Sequence, residues 1–162
     1  MQDVAHDAGV SIGLLSYHFG DRDGLLQAAL DHVNASTAAR ADRVPSDQSA
    51  LERLSALLCS EFGDDDGIRE GSIAWNELRA VSVFEPTSAA ALARSTKDWQ
   101  GAVNELVTEA LPATNAETTA LILTALVEGL SGRWLTGQVS ADEAQRTIRA
   151  ALHDLGLSSQ PT

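Results

Sequence analysis

Apolar residues recur every three or four positions along most of this chain, which is the spacing that one face of an α-helix requires. Within residues 47–62, for example, Leu51, Leu54 and Leu58 fall on one stripe. Alanine and leucine are frequent, and no segment alternates apolar and polar residues as a half-buried strand does. The pattern therefore predicts an all-α protein.

Glycine, proline and capping residues divide this pattern into eight predicted helices. Their approximate ranges are 2–8, 11–19, 21–43, 47–62, 68–84, 88–111, 115–137 and 141–155. The break at Pro45 divides the chain into residues 1–43 and 44–162. Two helix starts fit the capping box, in which a hydroxyl and a carboxylate satisfy free backbone amides, namely Thr114 with Glu117 and Ser140 with Glu143.

The composition excludes several classes of protein. The chain has 162 residues, of which 44% are hydrophobic, so we expect one domain with a packed core. Its formal charge of −12 argues against binding to nucleic acid through bulk positive charge. No apolar run approaches the ~20 residues of a membrane span, and Met1 does not begin a basic and apolar leader. We therefore expect a cytoplasmic protein without a membrane partner.

The residues that usually carry catalysis or bind metals are sparse. Cys59 is the only cysteine, which excludes an intrachain disulfide and a multi-cysteine metal site. The four histidines lack metal-ligand spacing on one helix face. Residues 129–132 do not form a nucleophile elbow because no strand precedes them, and no phosphate-binding glycine loop is present. The sequence therefore predicts no metal, no cofactor and no enzymatic activity.

Two short predicted helices at the start of the chain are joined by a tight turn, Ala8-Gly9-Val10-Ser11. Such a pair has the elements of a helix-turn-helix. A longer string of residues is more specific: it consists of Asp3-Val4-Ala5, Ala8-Gly9-Val10-Ser11, Gly13, Leu15 and His18-Phe19, followed by Arg22 and Leu25-Leu26. This string resembles the TetR family of one-component transcriptional regulators.

Two stretches resemble the BetI-type branch of that family, which comprises choline-responsive repressors. They are residues 13–26 and a later run, Glu128-Gly129-Leu130 with Arg133-Trp134-Leu135. The resemblance implies a short helix-turn-helix headpiece in residues 1–43, followed by a ligand-binding and dimerisation domain in residues 44–162. It also implies a repressor released by a small-molecule effector. Residues 45–115 resemble the family only in helical layout, so the identity of the effector does not carry over.

The resemblance makes residues 11–19 the recognition helix of the headpiece. It implies that operator DNA is contacted by Ser11, Ile12, Gly13, Leu14, Ser16, Tyr17, His18 and Arg22. Of these, residues 12, 13, 14 and 17 would face bases in the major groove, and residues 16, 18 and 22 would reach phosphates. Ile12 and Leu14 also fit a second role as packing residues. Leu15 and Phe19 are expected in the core.

The start of the chain departs from the family pattern. The family fold has a longer first helix with a basic arm, whereas this chain begins at the second helix of that scheme. Residues 1–24 contain four aspartates against Arg22 alone, which gives the headpiece a charge near −3. We therefore expect the chain to bind DNA weakly. The alternative function is a DNA-incompetent dimeric module that binds a small molecule.

Aromatic residues and carboxylates in the middle of the chain suggest an effector site. The candidate ligand-binding residues are Phe62, Trp75, Glu77, Phe84 and Trp99. Aromatic faces beside a carboxylate suit a cationic effector through cation–π attraction, and an apolar pocket for a hydrophobic effector fits equally well. The remaining alternative is that these rings belong to the core.

The predicted helix over residues 115–137 is apolar on nearly every side, whereas a surface helix needs only one apolar stripe. Together with the final helix, it predicts an isologous homodimer formed through a four-helix bundle. The candidate interface residues are Leu126, Gly129, Leu130, Arg133, Trp134, Ile148 and Leu152. The alternative is a central helix of a monomer.

Overall fold

A computed structural model describes residues 1–41, 47–112 and 115–157 of the chain. Within these ranges the chain forms eight helices and no strand, so the predicted all-α class is confirmed. The helices are α1 (Gln2–Asp7), α2 (Ile12–Phe19), α3 (Arg22–Ala41), α4 (Ala50–Cys59), α5 (Asp66–Ser82), α6 (Pro86–Ala110), α7 (Ala116–Leu135) and α8 (Ala141–Asp154). The predicted break at Pro45, the domain boundary beside it and Thr114 lie outside the described residues.

Polar side chains fix several helix starts. Ser140 and Glu143 form the predicted capping box of α8, in which each side chain bonds to the other residue's backbone amide. A second box, Ser49 with Glu52, begins α4. The side chain of Asn115 begins α7 by accepting from the amide of Thr118 at 3.1 Å. Since these bonds are local, the sequence alone predicts most of the element order.

The main core lies between α4, α6, α7 and α8, which pack on one another. Its largest fully buried side chains are Phe62, Leu54, Leu58, Leu123, Ile148, Val103 and Val107. A smaller cluster of Leu30, Leu78 and Ala91 joins α3, α5 and α6. Helix α3 therefore packs on α5 and α6 through its own apolar contacts.

The headpiece consists of α1, α2 and the beginning of α3. Ala5 and Leu15 are its buried residues, and Gly9 makes the turn between α1 and α2 with a φ of 65°. Helix α3 starts where the backbone runs very close to α2. A Cβ atom on Gly24 would collide with the carbonyl oxygen of Phe19, so only glycine fits at that position.

None of the described helices combines the length and apolar character needed to cross a lipid bilayer. Among the described residues, no three histidine, cysteine or acidic side chains are grouped closely enough to hold a metal ion.

Candidate DNA-binding and effector sites

Helix α2 presents a continuous face to solvent. Tyr17 is 83% exposed, and Ile12, Gly13, Leu14, Ser16 and His18 are also exposed. Leu15 points inward and is buried in the headpiece. Helix α2 contains no acidic residue, so the aspartates of the headpiece lie on α1 and at the start of α3 rather than on this face. The described structure therefore leaves this face of α2 accessible.

Ser11 holds the start of α2. Its hydroxyl oxygen accepts from the amide of Leu14 at 3.1 Å, so the side chain acts as the N-cap. Phe19, expected in the core, is 37% exposed at the opposite end of the helix. The expectation for Phe19 was wrong because the described headpiece offers no second layer against that end of α2. The rings of Tyr17 and His18 lie edge to face, 5.2 Å apart.

Arg22, the predicted phosphate ligand at the start of α3, is paired with an acidic residue at the start of α6. Its Nη1 atom donates to Oε2 of Glu85 at 3.1 Å. Ser88 Oγ donates to the same carboxylate oxygen at 3.0 Å. The hydrogen bond from Ser88, followed by the bond and charge of Arg22, lowers the pKa of Glu85 from its ordinary value. The sequence did not predict this pair, because Glu85 lies 63 residues from Arg22 along the chain.

A small cavity lies between α3, α5, α6 and α7. Its volume is about 40 Å³, which leaves room for only a few water molecules. The indoles of Trp75 and Trp99 line it, and the Nε1 atom of Trp99 is buried without a hydrogen-bond partner among the described residues. The other lining residues are Asn34, Glu61, Ser72, Arg79, Thr96, Val127, Glu128 and Ser131.

Charged and polar contacts border this cavity. Arg79 and Glu128 form an ion pair with an N–O distance of 3.2 Å, and Asn76 Nδ2 donates to Ser131 Oγ at 2.8 Å. Arg79, Thr96 and Glu128 also line a wide, open groove of about 830 Å³ between α5, α6 and α7. Both residues of the ion pair therefore line the cavity and the groove. Periodicity alone gave no signal for these residues, since their charges and hydroxyls are common on helix surfaces.

The structure does not bring the five candidate ligand residues together. Only Trp75 and Trp99 share the cavity. Phe62 is 2% exposed and packs edge to face on Trp134, with ring centroids 5.7 Å apart, so it is a core residue. Phe84 is 85% exposed and Glu77 is also exposed, and neither lines the cavity. The prediction that these three residues share the pocket was wrong. Phe62 lies in the core, Phe84 lies at the exposed corner between α5 and α6, and Glu77 lies on the exposed side of α5.

The candidate interface residues divide in a similar way. Four of them are buried within the single chain, namely Leu130, Trp134, Ile148 and Leu152. They cannot reach a partner because they fill the core between α4, α6, α7 and α8. Gly129 and Arg133 are exposed, and Leu126 is half-buried.

A different set of residues on α7 is accessible to solvent and forms a stripe along the helix. It comprises Leu121, Ile122, Ala125, Gly129 and Arg133, which we call the α7 stripe. Leu121 is 56% exposed and Ile122 is 47% exposed. The sequence did not place either residue at the interface, since a helix that is apolar all round does not reveal which side faces its own core.

Comparisons with known proteins agree with this architecture. Residues 50–157 match the family model described as "BetI-type transcriptional repressor, C-terminal". The regulator BetI of Burkholderia cenocepacia is 30% identical over 154 residues, which cover 94% of this chain and 77% of that protein.

Solved structures give the same result. A putative TetR-family transcriptional regulator from Rhodococcus sp. superimposes with a TM-score of 0.90 at 41% identity, covering 96% of this chain and 86% of that one. A putative transcriptional regulator from Pseudomonas aeruginosa has a TM-score of 0.75 at 19% identity, covering 95% and 78% of the two chains, and supports the fold alone. The family model, the relative and the structure at 41% identity together show that this chain belongs to the TetR family of transcriptional regulators and carries a BetI-type C-terminal domain.

Proposed function

We propose that the chain is a dimeric repressor that binds operator DNA through α2 and is released by a small-molecule effector. TetR-family regulators bind operator DNA and act as dimers, and they are not enzymes. The observation that carries the proposal for this chain is the exposed face of α2, on which Tyr17 is the most prominent side chain.

The chemistry of this face fits the major groove. Ile12 and Leu14 offer apolar contact to thymine methyl groups, and the hydroxyls of Ser16 and Tyr17 can bond to base edges or phosphates. His18 and Arg22 add donors for phosphate oxygens. None of these side chains reads guanine in the bidentate way that an arginine in the groove would, so we propose a site in which A·T pairs dominate the contacts of α2.

The cavity between α3 and α7 is the proposed effector site. Two indoles supply apolar faces, and Glu128, which is paired with Arg79 at the border, supplies negative charge to a cation that displaces this arginine, so cationic and hydrophobic effectors both fit. The cavity of about 40 Å³ must open to admit an effector of ordinary size. Asn34 places α3 in the cavity wall, and α3 also carries the headpiece, so opening the cavity moves α2.

The dimer is proposed to form through the α7 stripe. Exposed Leu121 and Ile122 need cover, and Ala125 and Gly129 allow a second backbone to approach closely. The symmetric contact of two such stripes is isologous, and two-fold symmetry suits the paired half-sites of an operator.

The DNA half of the proposal is tested by fluorescence anisotropy with duplexes from the region upstream of the gene and a duplex of random sequence. Tyr17→Ala should weaken binding to the preferred duplex by up to about tenfold, since one hydrogen bond contributes about 0.5–1.5 kcal/mol. Phe84→Ala, which removes an equally exposed ring outside α2, should leave affinity unchanged. Equal affinity of wild type and Tyr17→Ala contradicts α2 as the reading helix.

One observation favours a second candidate function. Residues 1–24 carry four aspartates and one arginine, a balance that opposes binding to phosphates. If the wild-type chain remains dimeric but binds none of the duplexes even at low salt, the chain is a DNA-incompetent module that binds a small molecule.

The effector half is tested by intrinsic tryptophan fluorescence with two probes, tetramethylammonium as a cation and toluene as a neutral apolar compound. Suppose that tetramethylammonium produces a saturable change in fluorescence. If this change is weaker in Glu128→Gln and persists in Glu77→Gln, the effector is cationic. A saturable change with toluene that both variants retain assigns a hydrophobic one. If neither probe produces a saturable change, the cavity does not bind effectors of these two classes.

A further inference from the structure

Arg22 is the only lysine or arginine in the first 24 residues. At the start of α3, this one guanidinium is therefore the only lysine or arginine group that can contact a DNA phosphate. It is also the headpiece residue that forms an ion pair with α5–α6 in the structure, through Glu85. The same group thus has two possible anionic partners, one within the chain and one on DNA.

Glu85 is held in place by its own surroundings. It is the N-cap residue of α6, and Ser88, one turn into the helix, donates to the carboxylate oxygen that Arg22 contacts. The carboxylate therefore stays at the corner between α5 and α6 without help from Arg22. The side chains of Arg22 and Glu85 are 59% and 45% exposed, so water and a phosphate oxygen can both reach the pair.

Two more contacts tie the same stretch of α3 to α6. Gln27 donates through Nε2 to Ser95 Oγ at 3.1 Å, and Arg94 Nη2 donates to Gln27 Oε1 at 2.9 Å. Arg22 and Gln27 lie five residues apart on α3, so these bonds and the ion pair hold one segment of α3 against α6. The ion pair is the member of this set that lies nearest α2.

We propose that Glu85 competes with the DNA backbone for Arg22 and thereby lowers the affinity of the headpiece for DNA. The inference rests on the proposed DNA-binding function. A guanidinium that bridged Glu85 and a phosphate would bring two anions side by side, which costs energy through repulsion. Binding to DNA therefore either breaks the pair or tolerates that repulsion, and in both cases Glu85 opposes it. Any movement of α6 that withdraws Glu85 releases Arg22 for DNA.

The test measures binding of a random-sequence duplex at low salt by wild type and Glu85→Gln. An exposed ion pair contributes about 0.2–1 kcal/mol, so Glu85→Gln should tighten binding by up to about fivefold. Removing any acid near DNA also strengthens binding, so the effect must be shown to pass through Arg22. Glu85→Gln is therefore repeated in the Arg22→Gln background, where we expect its effect to disappear.

Asp23→Asn is the matched control. It removes one negative charge beside Arg22 but leaves the Arg22–Glu85 pair in place, so its effect should be the same with and without Arg22→Gln. The salt dependence gives a separate readout: Arg22→Gln should reduce the slope of log K against log salt by about one. Circular dichroism melts check that each variant is folded.

The outcomes separate the two proposals. Tightening that depends on Arg22 supports the inference. If Glu85→Gln has no effect on DNA affinity, Glu85 does not compete for Arg22. The same conclusion follows if the effect of Glu85→Gln persists in the Arg22→Gln background, as the effect of Asp23→Asn should. In both cases the chain still binds DNA. If no variant and no wild-type protein binds the duplex, the proposed function itself fails and takes this inference with it.

Discussion

Phe62 and Phe84 are the same residue type in opposite environments. Phe62 lies in the core against the ring of Trp134, whereas Phe84 is almost fully exposed at the corner between α5 and α6. The sequence identified both as aromatic residues of one region but could not distinguish them, because burial depends on which helices pack over a position. Trp75 and Trp99 meet at the cavity for the same non-local reason.

Phe62→Ala should lower the free energy of unfolding by about 3–5 kcal/mol, since it removes a fully buried ring and leaves a cavity. Phe84→Ala should change it by less than about 0.5 kcal/mol. Urea denaturation of the two variants beside wild type, at one protein concentration, measures both values. Equal costs would contradict the division into a core ring and a surface ring.

At the scale of the element, local signals predict the helices well and their partners poorly. The final helix was predicted over 141–155 and runs over Ala141–Asp154, because the Ser140–Glu143 box and the turn at Gly156 are encoded in neighbouring residues. Helix α5 starts at Asp66, two residues earlier than predicted, because Asp65 caps it through the amides of Gly67 and Ile68. For α7, which is apolar all round, no local signal says which side faces the core.

The capping box of α8 makes part of the stability depend on pH. The amide and hydroxyl of Ser140 donate to Glu143 and lower its pKa from the ordinary value of 4.5. Because the folded state has the lower pKa, the stabilisation is present above about pH 4.5 and is lost as the pH falls through the lowered value.

Glu143→Ala should therefore lower the melting temperature at neutral pH, and the difference from wild type should shrink as the pH falls below about 4.5. Asp142→Ala removes a charge from the same first turn without removing the box, so it serves as the control. Thermal melts followed by circular dichroism across this pH range give the comparison. A Glu143→Ala difference that stays constant down to pH 3 would show that the carboxylate is not the stabilising group.

At the scale of the whole molecule, the two sides of α7 have different surroundings. Helix α7 supplies the core with Leu123, Leu130 and Trp134 and presents the α7 stripe on its other side. Residues that fill the core cannot also form the dimer, so four of the predicted interface residues were assigned to the wrong surface. The prediction that α7 takes part in an interface is unaffected by this correction.

Ile122→Asp should shift the protein from dimer to monomer, because it places a charge among the apolar residues of the α7 stripe, where a partner would bury it. Since Ile122 is 47% exposed in the single chain, the variant should keep its helical content. Analytical ultracentrifugation over a concentration series measures the mass. Val83→Asp, at the exposed α5–α6 corner, is the matched apolar-to-acid change; if that variant dissociates and Ile122→Asp does not, the interface lies at the corner instead.

The placement of the aromatic residues gives the protein two separate optical signals without any label. The only tyrosine, Tyr17, is on the exposed face of α2, whereas the three tryptophans are on α5, α6 and α7, two of them at the cavity. Light absorbed by the indoles alone therefore reports on the cavity and the core. Tyrosine emission, and its transfer of excitation energy to the indoles, reports on the headpiece. The unmodified chain thus allows an event at the cavity and the response of α2 to be timed against each other in one cuvette.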